Sequence, residues 1–257
     1  MPHVVVVSPM KYKAIIMDVD GTSVPNAVDG VPTPRVVRAV EAAQKLAHVC
    51  VCTSRPIFIA KDVIHALGVY DPCGINDATQ IYDPKKKKIV KTFALPKKEI
   101  GLVADFFAKK KLRFMVNTGE TEEYYEGGLF PDEVCSLCVP EVPVRIAMAL
   151  RDELTKIPNI SIQTPPSYQK GNVWVSVTSA TATKLHSVVE ICKRIGVQPE
   201  ETIGIGDGYN DFPLLEACGL KIAMGNAVPE LKAVADFIAP TVTEDGVAVV
   251  IEKFILS

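Results

Sequence analysis

The sequence has little net charge and no long apolar run, and each of these features excludes a class of protein. The 257 residues carry 28 lysines and arginines against 30 aspartates and glutamates, a formal net charge of −2. A balanced charge gives no electrostatic attraction to nucleic acid or to an anionic membrane. No apolar stretch approaches the roughly 20 residues of a transmembrane helix. We therefore expect neither nucleic acid nor membrane as a partner.

The apolar start, residues 1–7, has no basic region and no small-residue cleavage site. It is therefore not expected to be a signal peptide, and an edge strand or a loose extension is favoured.

Cysteine is also used in a way that excludes a disulfide scaffold. There are seven cysteines, an odd number, and several stand in apolar runs. Such residues are typical of reduced, buried thiols in a cytoplasmic protein. Cys135 and Cys138 form a CxxC pair, but no second pair and no nearby histidine accompany it. A zinc site is not expected there, and strand or core positions are favoured.

Apolar residues make up 48% of the chain, enough for a substantial core. Apolar runs alternate with amphipathic segments near the start: strand 13–18, helix 33–47, strand 48–53, helix 57–67 and a strand near 73–76. This βαβα order predicts a parallel sheet with right-handed crossovers.

The pattern changes after residue 78. A hairpin is expected around Pro84 and the lysine run at 85–88, which we interpret as a solvated turn rather than a nucleic-acid patch. The segment 119–133, rich in Glu and Gly, is expected to be a loop. The other elements expected here are helix 97–110, strand 112–117, strand 134–139, helix 143–156 and strands 160–164 and 173–178.

From about residue 180 the βα pattern returns. The expected elements are helix 183–195, strand 202–206, helix 211–218, strand 220–224, helix 228–235, a strand at 237–238 and helix 245–256. The fold class predicted is α/β, with a Rossmann-like parallel-sheet core built from residues 1–78 and 180–257. Residues 79–179 would form an inserted α+β cap.

Two carboxylates follow the first strand in Asp18-Val19-Asp20-Gly21-Thr22. The carboxyl end of a strand is where an open α/β sheet binds ligands. Carboxylates there can hold a hard cation such as Mg²⁺, and one of them can attack phosphorus. Taken alone, Asp-x-Asp-Gly is more often a polar turn. A calcium loop is disfavoured because its glycine would stand five residues after the first Asp, not three.

Three later groups stand at or near the ends of core elements. Thr53-Ser54-Arg55 follows a strand, Lys184 opens a helix, and Asp207-Gly208-Tyr209-Asn210-Asp211 follows another strand. Singly, each has a simpler explanation as a helix cap, a surface lysine or a turn. Together they supply the nucleophile, metal site, cation and hydrogen-bond donors that phosphoryl transfer needs.

These four motifs, in this order, resemble the haloacid dehalogenase-like (HAD) phosphatase superfamily. Three further stretches resemble its Cof-type subfamily IIB: 73–78 before a hairpin, 224–236, and Thr243-Glu244-Asp245-Gly246-Val247. The resemblance spans the core and is weakest in the cap.

The resemblance implies a role for each motif residue. Asp18 would be the nucleophile that forms an aspartyl-phosphate and a Mg²⁺ ligand. Asp20 would be the general acid and base, and its backbone carbonyl would also bind Mg²⁺. Lys184 would neutralise charge between nucleophile and phosphate.

The remaining site residues would bind phosphate or the metal. Thr53 and the amide of Ser54 would hold a phosphoryl oxygen. Asp207 would ligate Mg²⁺ directly, whereas Asn210 and Asp211 would orient the phosphate or the waters of the metal.

The chain departs from the subfamily pattern twice. It has Thr53-Ser54-Arg55 where Thr-Gly-Arg is commoner, and Asn76-Asp77-Ala78 where Asn-Gly-Ala is usual. The first change keeps the backbone amide at Ser54, so activity is expected to be retained.

The resemblance implies a cytoplasmic Mg²⁺-dependent phosphatase, monomer or homodimer, acting on a small phosphorylated metabolite. Sugar phosphates and phosphoglycolate-like acids are both expected candidates. A phosphomutase with the same nucleophile and a non-catalytic module that binds a phosphorylated ligand remain alternatives.

Overall fold

The structure is a computed structural model that describes residues 12–26, 30–165, 167 and 169–257. The expected amino-terminal strand or extension at 1–7 lies outside these ranges. The first part of the chain contains β1 (Ala14–Met17), α1 (Pro34–Ala43), β2 (His48–Val51), α2 (Ile57–Ala66), β3 (Cys73–Ile75), β4 (Gln80–Asp83) and β5 (Lys88–Thr92).

The middle and last parts complete the element order. The middle holds α3 (Lys97–Lys109), β6 (Met115–Asn117), β7 (Glu122–Tyr124), β8 (Ser136–Pro143), α4 (Val144–Leu154), β9 (Ile160–Gln163) and β10 (Asn172–Ser179). The last part holds α5 (Lys184–Ile195), β11 (Thr202–Gly206), α6 (Phe212–Ala217), β12 (Leu220–Ala223), α7 (Pro229–Val234), β13 (Phe237–Ile238) and α8 (Gly246–Phe254).

Helix boundaries follow local signals in the sequence. α1 begins after Thr33, whose Oγ1 accepts a hydrogen bond from the Val36 amide, and Pro34 occupies its first turn. α5 ends at Gly196, which adopts a left-handed conformation with φ of 72°. α1 stops at Ala43 rather than 47, because residues 44–47 form a turn.

The five core strands are parallel and lie in the order β13-β12-β11-β1-β2. Their apolar side chains form one buried cluster with the surrounding helices. β1 lies between β2 and β11, and Met17 is in register with Ile205. The loops that follow β1 and β11 therefore leave the sheet side by side. The predicted α/β class with a parallel core sheet is confirmed.

The strand near residues 73–76 does not extend this sheet as expected. A parallel bridge joins Cys52 to Gly74, whereas β3 pairs antiparallel with β4 in a separate three-stranded sheet with β5. The chain reverses directly after β3 through three residues with left-handed φ, at positions 76–78. This tight reversal brings β4 alongside β3.

The middle segment forms a second sheet in the order β7-β6-β8-β10-β9, entirely antiparallel. Alternate residues of β8 and β10 face α3 and α4 and form a second apolar cluster, including Leu137, Val139, Val175 and Val177. The residues between these apolar positions in each strand lie on the opposite face of the sheet and are small and polar or weakly polar. On this opposite face, Ser176 donates a hydrogen bond to Asp77 of the core. The second sheet therefore turns a polar face to the core.

Two details of the middle segment differ from expectation. The expected loop at 119–133 contains β7, a short edge strand paired with β6. The hairpin of β4 and β5 packs on the core cluster through Ile81 and its neighbours, whereas the second cluster starts at Leu95. The division of the chain at 78/79 remains a prediction, and the packing groups the hairpin with the core.

The other expected elements are present, with ends displaced by a few residues. All seven cysteines are buried and free of disulfides, and Cys138 lies within β8, in agreement with a strand position. Among the described residues, no helix combines the length and apolar character needed to cross a bilayer.

Candidate active site

Acidic side chains meet where β1 and β11 end. Asp18 follows β1, and its backbone amide donates to Ile205 O at 2.9 Å, which ties it to β11. Asp207 follows β11, and Asp211 lies one turn further on. One carboxylate oxygen from each of Asp18, Asp207 and Asp211 lies within 4.8 Å of the others. Adjacent parallel strands thus bring together acids from distant parts of the sequence.

Lys184 connects two of these acids. It is the first residue of α5 and only 4% exposed. Its Nζ lies 2.6 Å from Asp18 Oδ1 and 2.6 Å from Asp211 Oδ1. A buried ammonium shared by two carboxylates holds both in fixed positions. The family resemblance led us to expect Lys184 beside Asp18, and the structure adds the contact with Asp211.

Asp211 is fully buried and uses both oxygens within the protein. Oδ1 accepts from Lys184, while Oδ2 accepts from the amides of Asp207 and Gly208, both at 2.9 Å. This arrangement fixes the loop that carries Asp207 and leaves Asp211 positioned to orient other ligands.

Asp207 is held by two residues that sequence reasoning named within motifs without assigning a role. Thr22 Oγ1 donates to Asp207 Oδ1 at 2.9 Å. Asn226 Nδ2 donates to Asp207 Oδ2 at 3.3 Å and to Gly21 O at 2.8 Å. Asn226 follows β12, the neighbour of β11, so the rule of adjacent strand ends could have identified it.

The acids outnumber the cation that they share. Burial raises the pKa of Asp18 to about 8, against the opposing charge of Lys184. Burial likewise raises the pKa of Asp207 to about 6, and the neighbouring Asp211 adds to the increase. Although burial acts to lower it, the pKa of Lys184 is raised by Asp18 and Asp211. The cluster therefore has more carboxylates than positive charges and is suited to binding a further cation.

Asp20 lies beside this cluster and pairs with a residue whose role the sequence did not reveal. Arg55 Nε and Nη2 donate to the two carboxylate oxygens of Asp20. The Arg55 side chain is 11% exposed and that of Asp20 34% exposed. A planar guanidinium that grips both oxygens fixes the direction of the carboxylate. Arg55 belongs to the Thr53-Ser54-Arg55 motif, and this position was the feature of the sequence that could have identified it as a site residue.

The expected phosphate-binding residues gather at the same edge of the sheet. Thr53 is buried, and its Oγ1 accepts from the Arg55 amide at 3.1 Å. Asn210 Nδ2 donates to Ser54 Oγ at 3.4 Å, joining the loops after β2 and β11. The structure thus brings the residues of all four motifs to one edge.

The donor set fits a hard divalent cation. Asp18 and Asp207 offer carboxylate oxygens on neighbouring loops, with no thiol or imidazole among the clustered ligand atoms. Oxygen ligands of this kind suit Mg²⁺, which retains several waters and needs few protein ligands. Asp211, with both oxygens engaged, fits an indirect role.

The chain is similar to known proteins over most of its length. Residues 15–135 and 143–251 match the family described as haloacid dehalogenase-like hydrolase. A 5-amino-6-(5-phospho-D-ribitylamino)uracil phosphatase of Bacillus subtilis (strain 168), YcsE, is 23% identical over 251 residues, covering 95% of this chain and 96% of that protein.

Two further similar proteins have names that give different substrates. A phosphoglycolate phosphatase of Methanopyrus kandleri is 38% identical over 77 residues, or 30% of this chain and 33% of that protein. The solved structure of the HAD subclass IIB sugar phosphatase BT4131 has a TM-score of 0.77 at 22% identity, covering 94% of this chain and 98% of that one. The family match, which spans most of the sequence, shows that the chain belongs to the haloacid dehalogenase-like hydrolases.

Proposed function

We propose that this hydrolase is a phosphatase that hydrolyses small phosphorylated metabolites with Mg²⁺ through an aspartyl-phosphate on Asp18. The observation that carries the proposal is the Lys184 ammonium, buried between Asp18 and Asp211 at 2.6 Å from each. Such a group holds an attacking carboxylate in place and lowers its repulsion towards a phosphate dianion.

Asp18 attacks the phosphorus atom in this scheme. Its Oδ1 is engaged by Lys184, which leaves Oδ2 as the oxygen that forms the new bond to phosphorus. The bond between phosphorus and the ester oxygen breaks, and the leaving alcohol takes a proton. Water then cleaves the acyl phosphate, releasing inorganic phosphate and restoring Asp18.

Asp20 moves the protons. As general acid it protonates the leaving oxygen, and as general base it then accepts a proton from the attacking water. Arg55 is the positioning residue that directs the Asp20 carboxylate. Thr53, the Ser54 amide and Asn210 bind phosphoryl oxygens at the same edge of the sheet.

Asp18, Asp207 and the backbone carbonyl of Asp20 would hold the metal, with Asp211 acting through Lys184 and the 207–208 amides. When bound, Mg²⁺ offsets the repulsion between phosphate and carboxylate and aligns them for in-line attack. Thr22 and Asn226 fix the direction of Asp207 towards that position.

We also propose that residues 79–179 act as a cap over a catalytic core of residues 1–78 and 180–257, with the β4–β5 hairpin packed on the core side. Closure of the cap would exclude water while the aspartyl-phosphate forms. Seven buried, reduced thiols favour a cytoplasmic protein.

The test is hydrolysis of p-nitrophenyl phosphate with and without Mg²⁺, in wild type and Asp18→Asn. We expect Mg²⁺-dependent release of phosphate that Asp18→Asn abolishes. Asp132→Asn, which alters an exposed carboxylate paired with Lys97, is the matched control and should keep wild-type rates. If neither wild type nor Asp18→Asn releases phosphate, a non-catalytic binding module replaces this proposal. Dependence on an added bisphosphate would favour a phosphomutase.

A further inference from the structure

The reversal after β3 contains a strained acidic residue. Asn76, Asp77 and Ala78 have φ values of 56°, 54° and 62°, a left-handed run that L-residues rarely adopt. The Asn76 amide donates to Arg55 O at 2.8 Å, and the Asp77 amide donates to Ser54 O at 3.2 Å. Strain of this kind persists where surrounding bonds enforce it, and it is common at functional sites.

The Asp77 carboxyl group is incompletely satisfied. Ser176, on the polar face of the cap sheet, donates from Oγ to Asp77 Oδ2 at 3.1 Å. Asp77 Oδ1 is buried, and no described residue donates a hydrogen bond to it. A buried acceptor without a donor is unfavourable, because it has lost its hydrogen bonds to water. A ligand group that donates to this oxygen would offset the cost.

Asp77 is hydrogen-bonded both to Ser54, in the loop after β2, and to Ser176, in the cap sheet. Burial raises the pKa of Asp77, while the adjoining hydroxyls of Ser54 and Ser176 oppose the increase. Ser54 is one of the proposed phosphate-binding residues, so the carboxyl group stands between the phosphate site and the cap. The negative charge of Glu122 on β7 also acts on Asp77 and strengthens the acidic character of this region.

The positive charge of Lys184 also acts on Asp77, but its ammonium is in direct contact with two other carboxylates. Lys184 pairs with Asp18 and Asp211, and Arg55 grips Asp20. A carboxylate on the substrate would be repelled by the negative charges of Asp77 and Glu122, whereas a hydroxyl or ammonium would supply a donor to Asp77 Oδ1.

Building on the proposed function, we propose that Asp77 is a specificity-determining residue that accepts a hydrogen bond from a hydroxyl or ammonium of the leaving group. The substrates it selects are phosphorylated polyols or amino alcohols, and phosphorylated carboxylic acids are rejected. This narrows the two substrate classes expected from the sequence to one.

A series of two-carbon esters tests the selection directly: 2-hydroxyethyl phosphate, O-phosphoethanolamine and 2-phosphoglycolate. They differ chiefly in the group that follows the ester carbon, which is a hydroxyl, an ammonium or a carboxylate. We measure kcat/KM for each, and inhibition of p-nitrophenyl phosphate hydrolysis as a readout of binding. In wild type we expect 2-phosphoglycolate to be disfavoured by about tenfold or more against the other two.

Asp77→Asn removes the charge and keeps both size and tolerance of a left-handed φ. We expect it to reduce the discrimination against 2-phosphoglycolate by about tenfold. Expressing each rate relative to that of 2-hydroxyethyl phosphate cancels a general loss of activity. Asp77→Gly, which suits the φ of 54°, is a second variant that should give the same result.

Ser176→Ala is the matched control, since it removes the bond to Oδ2 and keeps the carboxylate. It should preserve the wild-type order of the three esters. Equal kinetics or equal inhibition for the three esters in wild type, or a ratio unchanged in Asp77→Asn, would overturn the inference. The inference would also be overturned if Ser176→Ala changed the ratio of 2-phosphoglycolate to 2-hydroxyethyl phosphate hydrolysis as much as Asp77→Asn does. Such a result would assign the effect to packing of the cap. Wild-type hydrolysis of p-nitrophenyl phosphate separates each of these outcomes from failure of the proposed function.

Discussion

Arg55 grips the carboxylate of Asp20 from one side, with Nε 3.0 Å from Oδ2 and Nη2 2.5 Å from Oδ1. A lysine at position 55 keeps the charge and loses the planar fork, so the Asp20 carboxylate can rotate. We expect Arg55→Lys to lower kcat by about 10- to 100-fold, because the proton transfer proposed for Asp20 requires a carboxylate in a fixed position. Steady-state kinetics with p-nitrophenyl phosphate measures this.

The surface pair of Arg35 with Glu252 is the matched control, as it also uses Nε and Nη2. Arg35→Lys should leave kcat near the wild-type value. An equal loss of kcat in the two variants would contradict a positioning role for Arg55.

Lys184 and Lys110 form ion pairs of equal length with very different burial. Lys184 contacts Asp18 and Asp211 at 2.6 Å and is buried, whereas Lys110 contacts Glu153 at 2.6 Å with both side chains about 40% exposed. Lys184→Met leaves two buried carboxylates unpaired, so we expect a loss of about 3–5 kcal/mol of unfolding free energy. Activity should fall by at least about a hundredfold.

Lys110→Met is the control, and exposed pairs of this kind contribute little. Denaturant unfolding at neutral pH compares the two variants. Similar losses of stability in both would show that the buried pair has no special role.

Gly21 and Gly68 both have left-handed φ, 77° and 71°, but different surroundings. A Cβ at Gly21 would lie 2.2 Å from Asp207 Oδ2, whereas nothing lies within 4 Å of one at Gly68. Each alanine variant should lose about 1–2 kcal/mol from backbone strain. Only Gly21→Ala should also displace Asp207, and we expect its activity to fall by about 100-fold.

Thermal unfolding and Mg²⁺ titration of activity measure the two effects separately. If Gly21→Ala retained the activity of Gly68→Ala, the direction of Asp207 would not matter for the reaction.

The buried acids predict how the stability of the metal-free protein depends on pH. Burial raises the pKa of Asp18 from 3.8 to about 8, so folding favours its protonated form. This contribution to stability is complete below the unfolded pKa and is lost as the pH rises through about 8. Relative to Asp18→Asn, the wild type should lose on the order of a few kcal/mol across that range.

The pKa of Asp207 is raised to about 6, so Asp207 changes the pH dependence of stability in the same direction. It is present in both proteins. Thermal unfolding with a chelator, at intervals from about pH 4 to pH 8, gives the two curves. Parallel curves for wild type and Asp18→Asn would show that Asp18 ionises without penalty in the fold.

The core was predictable from sequence because the relevant signals are local. Apolar runs ending in Asp18 and Asp207 identify buried strands, and parallel pairing then places the two acids together. The cap of α1 by Thr33 and the end of α5 at Gly196 also follow from residue types.

The features that were missed depend on contacts between distant residues. β7 is a short, polar edge strand whose pairing with β6 has no signal in its own composition. The hydrogen bonds from Arg55 to Asp20 and from Asn226 to Asp207 depend on how separate loops pack. The packing of the β4–β5 hairpin on the core likewise follows from the tight reversal at 76–78, which apolar periodicity does not report.

The central position of β1 has a consequence for biosynthesis. β1 pairs with β11, and the contact of Thr22 with Asp207 joins residues 185 positions apart. At about 5–20 residues per second, a ribosome adds those residues in roughly 10 to 40 seconds. Throughout that interval the nascent chain carries Asp18 without Asp207. The acidic cluster is therefore assembled only late in translation, and a prematurely terminated chain lacks the complete site.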